Sequence, residues 1–475
     1  MIKKLITRLF KRNDPKAAVR RRAKRYKAST QGVPLEHVSP AALRTCQTLQ
    51  QAGHHAYIVG GGVRDLLLGL EPKDFDVATD ATPDQVRQLF RRSRIIGRRF
   101  QIVHVMFGRE TIEVSTFRAI QDAAETDEHG RVLRDNVWGT QAEDAARRDF
   151  TINALYYDPV ADLLLDYHDG VKDLRERTLR MIGDPAARYR EDPVRMLRVA
   201  RFAAKLGFKV ETRTKRPIRE LAELIHNVPS ARLFDEMLKL LTSGHAMACL
   251  HELRREGLHH GLLPLLDMAL EQPDGERFIT AALANTDARV REDKPVSPGF
   301  LFASLLWQEV RVRWDAGVQQ GEHSIPALSQ AIDSVLDTQG ERLAIQRRFI
   351  ADMREIWMMQ PRFERRTGRS PYGIVEHMRF RAAYDFLQLR CETGERPAEL
   401  AQWWAAFAAA DSAEREVLLA RAPAAAAGGA ARKRKRRSSG RRGGAGAAAG
   451  GGEAAGAVSD RAAGKASGPG AEPRS

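Results

Sequence analysis

A glycine-rich segment between two apolar runs constrains the fold of this chain more than any other feature. Residues 58–69 read Ile-Val-Gly-Gly-Gly-Val-Arg-Asp-Leu-Leu-Leu-Gly. A strand that runs into glycines and then into a helix brings backbone N–H groups close to an anion, because no Cβ stands in the way. The segment therefore predicts a strand–turn–helix unit in which Gly61 and Gly62 approach the phosphates of a nucleotide.

Two acidic residues, Asp74 and Asp76, follow shortly after the glycine-rich segment. Residues 73–79 read Lys-Asp-Phe-Asp-Val-Ala-Thr. Alternate side chains of a strand share a face, so Asp74 and Asp76 point one way while Phe75 and Val77 face the core. Two carboxylates on one face favour a divalent metal, and we expect Mg²⁺ there, with Mn²⁺ as the alternative. Alone, each motif is also typical of a tight turn or a solvated strand edge.

The order strand, Gly-Gly, Arg-Asp, turn, Asp-x-Asp resembles the head of the class II nucleotidyltransferase superfamily. That superfamily holds the tRNA CCA-adding enzymes and the bacterial poly(A) polymerases. The resemblance implies a polymerase-β-like α+β catalytic head, with a small mixed sheet and helices, and an all-α neck and body after it. It also implies ATP as a substrate and a two-metal mechanism at Asp74 and Asp76.

A metal site of this kind favours a further carboxylate, and the sequence offers two. Glu113 lies between Ile112 and Val114, so strand alternation turns it away from the core, although it could equally be a plain exposed strand acid. Asp149 and Asn153 are four residues apart and would share a helix face. In the superfamily the matching Asp counts among the essential acids and its motif is linked to ribose recognition, which the resemblance implies for Asp149 and Asn153.

Arginines mark the rest of the predicted nucleotide site. Arg64 follows the glycines and could donate to a phosphate, and the resemblance suggests that Asp65 pairs with a nearby arginine. Asp192 suits an N-cap and Pro193 the first helical position, so a helix is expected there. Arginines then recur every third residue, a pattern that alone favours a solvated face. Its Glu-Asp-x-x-Arg element resembles the nucleotide-selecting motif of the superfamily, which implies base recognition by Asp192 and Arg195, with Arg198 in the same site.

Residues 95–105 distinguish the two branches of the superfamily. Their pattern of an apolar pair, Gly, two basic residues, Phe and a strand resembles the segment that marks bacterial poly(A) polymerases, and CCA-adding enzymes lack the double basic pair. The helical stretch 361–392 also resembles the RNA-binding body of poly(A) polymerases. The expected RNA-binding residues are Arg98, Arg99, Arg365, Arg366, Arg434, Lys435 and Arg436.

Composition and periodicity divide the chain into five parts. Strand patterns at 56–59, 75–78, 102–107 and 112–117 alternate with helices, and only helical patterns follow residue 175. The polar, acid-rich segment 121–136 is predicted to be a flexible loop. The predicted parts are a mobile basic leader (1–40), the catalytic head (41–175), a helical neck for nucleotide selection (176–250), an all-helical RNA-binding body (251–421) and a disordered basic tail (422–475).

The formal net charge of +16 is concentrated at the two ends of the chain. Residues 1–28 contribute +11 and residues 422–475 contribute +8, so the 393 residues between them carry −3. Attraction to RNA phosphates is therefore expected to reside largely in these arms and to fall steeply with salt. The three cysteines include no Cys-x-x-Cys pair, which argues against a disulfide framework or a zinc site. No apolar run approaches the ~20 residues that span a bilayer.

We therefore expect a cytoplasmic, monomeric polynucleotide adenylyltransferase that adds AMP from ATP to RNA 3′ ends without a template. The family resemblance implies that such tails promote RNA decay. Residues 2–10 form a basic amphipathic pattern that could touch anionic lipid, and the basic tail is a candidate contact for RNA-decay machinery or an RNA chaperone. Two alternatives stay open. One is a tRNA CCA-adding enzyme, and the other is an RNA-binding protein whose head has lost catalysis.

Overall fold

An eight-stranded mixed sheet organises the N-terminal part of the protein, in the order β1-β8-β7-β2-β3-β6-β5-β4. The computed structural model describes residues 22–97, 101–120, 137–259, 268–340 and 343–422. Strands β3 and β6 run parallel, and the other neighbours in the sheet are antiparallel. The strands are β1 (Lys24–Lys27), β2 (Ala56–Val59), β3 (Asp76–Thr79), β4 (Ser93–Ile96), β5 (Ile102–Phe107), β6 (Glu110–Thr116), β7 (Leu155–Asp158) and β8 (Leu163–Asp166).

Helices cover this sheet and then form the remainder of the described chain. The helices of the sheet region are α1 (Pro40–Gln51), α2 (Gly61–Leu67), α3 (Pro83–Leu89), α4 (Gln141–Arg147) and α5 (Gly170–Arg175). The helices that follow are α6 (Pro185–Glu191), α7 (Val194–Leu206), α8 (Thr212–Leu221), α9 (Ser230–Leu241), α10 (Ala246–Arg255), α11 (Pro273–Arg291), α12 (Pro298–Gln319), α13 (Ser324–Gly340), α14 (Arg347–Phe363), α15 (Ser370–Val375), α16 (Phe380–Glu392), α17 (Ala398–Ala409) and α18 (Ser412–Arg421). The predicted α+β head followed by a helical neck and body is confirmed.

The two faces of the sheet have different environments. On one face Ile58, Val77 and Val114 are buried in the main hydrophobic core together with Cys46 and Leu49 of α1. The opposite face carries a smaller apolar cluster that includes Val59, Ala78 and Tyr156. Because side chains alternate along a strand, Asp76 leaves β3 on the same face as Ala78. This second face is where the polar residues of the head collect.

Three structural expectations need correction. The predicted leader, residues 1–40, includes strand β1, which pairs with β8 and closes one edge of the sheet. Strands also occur after residue 175, because β9 (Thr178–Leu179) and β10 (Lys209–Val210) form a short parallel pair. Finally, Asp149 and Asn153 do not lie on an α-helix, since residues 151–153 form a single 3₁₀ turn.

The start of helix α7 differs slightly from the predicted one. Helix α7 begins at Val194, one residue later than predicted, and Asp192 still accepts the Val194 N–H through its side chain at 3.3 Å. The described residues belong to one compact unit, Met1–Ala425, so the limits of head, neck and body at 175 and 250 stay predictions. Outside the described residues lie residues 2–10, Arg98 and Arg99, the loop 121–136 and the basic tail. No helix among the described residues is long and apolar enough to cross a lipid bilayer.

Candidate active site

A cleft of about 620 Å³ opens where the polar face of the sheet meets helices α7 and α9. Its walls carry nine Arg or Lys side chains and five Asp or Glu side chains. It brings together eight of the predicted site residues, which are separated by up to 137 positions in the chain: Gly61, Arg64, Asp76, Asp149, Asn153, Asp192, Arg195 and Arg198. A concave, strongly basic site of this kind favours a polyanionic ligand.

The glycine turn has two different structural roles. Gly60 adopts φ +73° and ψ −129°, a conformation that essentially only glycine tolerates. A Cβ there would lie 3.5 Å from Arg148 Nη1 and 3.9 Å from Asp76 Oδ2, inside the cleft. Gly62 instead faces the protein interior, where a Cβ would lie 3.3 Å from the Phe75 ring and 3.4 Å from the Asp74 carbonyl oxygen. Gly62 therefore lets α2 pack against the Asp74–Asp76 segment and does not line the cleft.

Of the three candidate metal carboxylates, Asp76 and Glu113 lie on neighbouring strands and Asp74 lies two residues before β3. Asp74 and Asp76 are exposed while Phe75 is buried, as the alternation predicts. Asp76 is directly in register with Glu113 on the parallel strand β6. Partial burial of the Asp76 carboxylate, together with the charges of Glu113 and Asp74, raises its pKa to about 6 against the opposing charge of Arg148. Neither Asp74 nor Glu113 lines the cleft itself.

The surroundings of these carboxylates indicate which kind of cation they suit. The pKa of Asp76 is raised first by burial and then by the nearby charges of Glu113 and Asp74, and a divalent cation would offset both effects by favouring the ionised carboxylate. Among the described residues, no three His, Cys, Asp or Glu side chains are gathered closely enough to enclose an ion. The arrangement suits a cation such as Mg²⁺ that takes one or two carboxylates and completes its shell with substrate oxygens and water.

Asp149 is the most extensively bonded acid of the cleft. Arg198 donates to its Oδ2 from Nε at 2.8 Å and from Nη2 at 2.6 Å, while Asn153 Nδ2 donates to its Oδ1 at 3.2 Å. Burial raises the pKa of Asp149, but the charge and hydrogen bonds of Arg198 outweigh burial and leave the pKa below its ordinary value. Asp149 is therefore held as a carboxylate, and Asp149 and Asn153 are neighbours despite the absence of an α-helix.

Arg64 is held in place before any ligand arrives. It is only 4% exposed, donates to Asp65 Oδ1 from Nε at 2.8 Å and to Asn153 Oδ1 from Nη1 at 2.9 Å, and lies 5.2 Å from the Phe202 ring centre. The expectation that Asp65 pairs with a nearby arginine is confirmed, and that arginine is Arg64 itself.

The two base-reading candidates do not pair with each other. Asp192 accepts from Arg232 Nη2 at 3.1 and 3.0 Å, one bond to each carboxylate oxygen. Arg195 donates from Nη1 to Glu191 Oε2 at 2.7 Å and to the Arg188 carbonyl at 2.9 Å. Asp192 and Arg195 therefore have separate protein partners, although both line the same cleft.

Several cleft residues escaped the sequence prediction. Arg148 is fixed by Asp144, which accepts from its Nη2 at 3.1 Å, and by Tyr156, whose hydroxyl accepts from its Nε at 3.2 Å. The motif Arg-Arg-Asp contains Arg148, so a signal was present there. The sequence of helix α9 carries no comparable motif, and only the folded structure shows that this helix lines the cleft. Its cleft residues are Arg232, Asp235, Glu236 and Lys239.

The predicted RNA-binding residues of the body lie outside the cleft. Arg365 is exposed, and Arg366 is half-buried with its guanidinium 5.9 Å from the Trp403 ring centre. RNA binding by Arg365 and Arg366 stays a prediction. Arg98, Arg99, Arg434, Lys435 and Arg436 lie outside the described residues.

Comparisons with known proteins give the family. Residues 56–180 match the poly A polymerase head domain, residues 207–270 match the probable RNA and SrmB-binding site of polymerase A, and residues 320–442 match the polymerase A arginine-rich C-terminus. Poly(A) polymerase I of Salmonella typhi is 46% identical over 391 residues, which cover 80% of this chain and 84% of that protein.

CCA-adding enzymes are similar over less of their sequence. The CCA-adding enzyme of Lactobacillus helveticus is 39% identical over 207 residues, covering 43% of this chain and 50% of that enzyme. The fold also resembles the crystal structure of the Bacillus stearothermophilus CCA-adding enzyme in complex with CTP, with a TM-score of 0.52, 25% identity and coverage of 80% and 82% of the two chains. The chain therefore belongs to the poly(A) polymerase I family within the nucleotidyltransferase superfamily.

Proposed function

We propose that this enzyme transfers AMP from ATP to RNA 3′ ends, without a template, in the cleft between the sheet and helices α7 and α9. The observation that carries the proposal is that one cavity is lined by Asp76, Asp149, Asp192 and Arg195, which come from three separate sequence motifs. Similarity to poly(A) polymerase I over 80% of the chain supports adenylate transfer to RNA as the reaction.

The carboxylates would hold the metal. Asp74 and Asp76 are the proposed ligands, and Glu113 is the third acid whose charge reaches Asp76. Bound there, Mg²⁺ lowers the pKa of an RNA 3′-hydroxyl and neutralises charge on the triphosphate, with Mn²⁺ as the alternative ion. The exposed side of Asp74 and Asp76 leaves room for substrate oxygens, which is consistent with two protein ligands and no closed cage.

The basic wall of the cleft would bind the triphosphate. Arg64 is immobilised by Asp65, Asn153 and Phe202, so it loses little side-chain entropy when it meets a phosphate. Burial lowers the pKa of Lys205, and the charge of Arg64 lowers it further. An arriving triphosphate would reverse part of that effect, because an opposite charge favours the charged amine.

The ribose and base would be read by separate pairs of residues. We assign ribose contacts to Asp149 and Asn153, since both line the cleft and fix each other's orientation. We assign the base edge to Asp192 and Arg195, which can offer an acceptor for the adenine amino group and a donor for a ring nitrogen. Within the described part of the chain, Arg195 is held through Nη1 alone, so its other guanidinium nitrogens can face a base.

In the proposed reaction the RNA 3′-oxygen attacks the α-phosphorus of ATP. The new P–O bond extends the RNA by one AMP, the bond to the bridging oxygen of the β-phosphate breaks, and pyrophosphate leaves as the hydroxyl proton is lost. The residues of the cleft contribute mainly by positioning and charge, which is the dominant mode of catalysis in phosphoryl-type transfer.

Primer extension tests the proposal. Purified enzyme with Mg²⁺ is given an unstructured RNA oligonucleotide or a tRNA that lacks its CCA end, with each NTP alone or mixed. We expect a long ladder on the oligonucleotide with ATP alone, abolished by Asp76→Ala and unchanged by Asp315→Ala, an exposed acid of α12. Addition confined to the tRNA, dependent on CTP and stopping after about three nucleotides, would instead establish CCA addition. Tight RNA binding without extension would establish an inactive RNA-binding protein.

A further inference from the structure

A second cavity, of about 190 Å³, lies within the helical body. It is formed by α11, α12 and the turn that follows α16, and none of its lining residues belongs to the active-site cleft. Its walls include the side chains of Arg277, Arg311 and Gln308. The volume is well above what one ordered water requires, so the cavity can hold a small polar group.

Arg311 is the unexplained residue of this cavity. Its Nε is fully buried and has no hydrogen-bond partner, and no ion pair of its guanidinium occurs among the described residues. A buried donor that is left unsatisfied costs free energy, and more so when it carries charge. By contrast, the fully buried Arg390 of the body has a defined partner in Glu395 at 2.7 Å. An anion in the cavity would supply the partner that Arg311 lacks.

The acids around the cavity do not provide that partner. Glu395 lines the wall, but one of its carboxylate oxygens accepts from Arg390 at 2.7 and 2.9 Å and the other accepts from Trp307 Nε1 at 2.8 Å. Asp274 is largely exposed at the rim, where its nearest cation is Arg277 at 3.7 Å. The positive charge of Arg311 is therefore not compensated by Glu395 or Asp274.

Arg277 gives the site a second cation. Its Nη1 donates to the Thr393 carbonyl at 3.3 Å, and a Cβ on Gly394 would lie 3.8 Å from the same nitrogen. The side chain is thus aimed across the turn 393–395, towards the same cavity as Arg311. Two guanidinium groups around a small polar cavity form the donor set that phosphate oxygens prefer.

We propose that this cavity of the helical body binds a phosphate group through Arg311 and Arg277. The phosphate can come from the backbone of an RNA bound to the enzyme or from free inorganic phosphate, and the RNA source rests on the proposed function. Seated in the cavity, a backbone phosphate would anchor RNA at a point separate from the cleft without reading its sequence.

The test uses the full-length enzyme and the variants R311Q, R311K and R313Q. Arg313 is the matched control, because it lies two residues further along α12 and donates to Ser334 Oγ at 2.5 Å instead of facing the cavity. RNA affinity is measured without ATP or metal, by fluorescence anisotropy of labelled RNA oligonucleotides of increasing length and at several salt concentrations. The result is then independent of whether the enzyme extends RNA.

We expect R311Q to weaken binding of long RNA about 3- to 10-fold and to reduce the salt slope by roughly 0.7, the value for one single-strand phosphate contact. Short RNA that does not reach the cavity should be unaffected, R311K should retain most of the affinity, and R313Q should behave as wild type. Because Arg311 has no bond to lose, R311Q should fold with at least wild-type stability, which thermal unfolding checks.

A second arm identifies the source of the phosphate. With saturating ATP present to occupy the cleft, inorganic phosphate is titrated and the rise in unfolding temperature is followed. A rise in wild type and R313Q that is lost in R311Q, with equal RNA affinity in all three, supports the site and assigns it to free phosphate. If R311Q matches R313Q in RNA affinity, salt slope and phosphate protection, the proposal is overturned. Loss of extension in every variant with RNA binding unchanged would refute the proposed function alone.

Discussion

Replacing Asp76 by Asn should stabilise the metal-free enzyme while it abolishes catalysis. Burial, Glu113 and Asp74 raise the pKa of Asp76 from 3.8 to about 6 in the folded state. A carboxyl whose pKa is raised on folding binds its proton more tightly in the folded protein, so the ionised form is destabilising. The penalty is absent below pH 3.8, grows as the pH rises towards 6, and is complete above 6.

The size of the effect follows from the shift. About two pKa units correspond to ~3 kcal/mol if the whole shift is counted. Because Asp76 reaches solvent on one side, screening reduces this figure, and we expect about 1 kcal/mol. Because the unfolding entropy of a single unit of this size is large, the unfolding temperature of Asp76→Asn should then rise by only about 1 °C at pH 8 and by almost nothing at pH 4.

Thermal unfolding with EDTA at the two pH values measures this difference, with Asp315→Asn as the control for loss of an exposed acid. Mg²⁺ should raise the unfolding temperature of wild type more than that of Asp76→Asn, since mass action stabilises the state that binds the ion. A variant that gains no stability at pH 8, or gains as much at pH 4, would refute the argument that burial of Asp76 beside Glu113 and Asp74 destabilises its ionised form.

Three further substitutions probe the site and its support. Gly60→Ala should lose about 1–3 kcal/mol to backbone strain and also lower extension activity, because its methyl would lie 3.5 Å from Arg148 Nη1; Gly53→Ala, at φ +87° with nothing within 4 Å, should lose stability alone. Tyr156→Phe should cost about 1–3 kcal/mol in urea unfolding, because the hydroxyl donates to Asp144 at 2.6 Å. Arg390→Met should cost about 3–5 kcal/mol by leaving Glu395 buried without its cation, and the added change Glu395→Met should restore much of that loss in the same assay.

The sequence predicted the fold well wherever a local pattern determines the structure. Strand β2 is found at the predicted residues, β5 likewise, and β3 and β6 are shifted by one or two positions. Strand β1 was not predicted, because its residues, Lys-Arg-Tyr-Lys, resemble part of a basic leader. Such charge is common on edge strands, where it blocks pairing with other chains. Its identity as a strand depends on β8, about 140 residues later, and no local signal reports that partner.

The same distinction separates the predicted from the unpredicted parts of the site. Motif residues such as Asp76 and Asp149 were identified because their neighbours in sequence carry the pattern. The partners of Asp192 and Arg195 were not predicted. Arg232, the partner of Asp192, lies on a helix 40 residues away, and Glu191, the partner of Arg195, is an ordinary acid at a helix end. Nor could the sequence tell that Gly60 holds the special backbone conformation while Gly62 serves packing.

The contacts of the cleft also indicate why catalytic residues of the sheet region require the helices that follow. Arg198 of α7 holds Asp149, and Arg188 of α6 donates to the carbonyl oxygens of Arg147 and Arg148 at 2.5 and 2.8 Å. The Arg-Arg-Asp turn is thus fixed from outside the sheet, by charge-assisted bonds that a separate head could not form. An isolated N-terminal fragment should therefore keep Asp74 and Asp76 near each other at the start of β3 yet leave Asp149 without its cation. Nucleotide binding would suffer before the sheet itself unfolds, because β2, β3 and β6 are held by their own ladder.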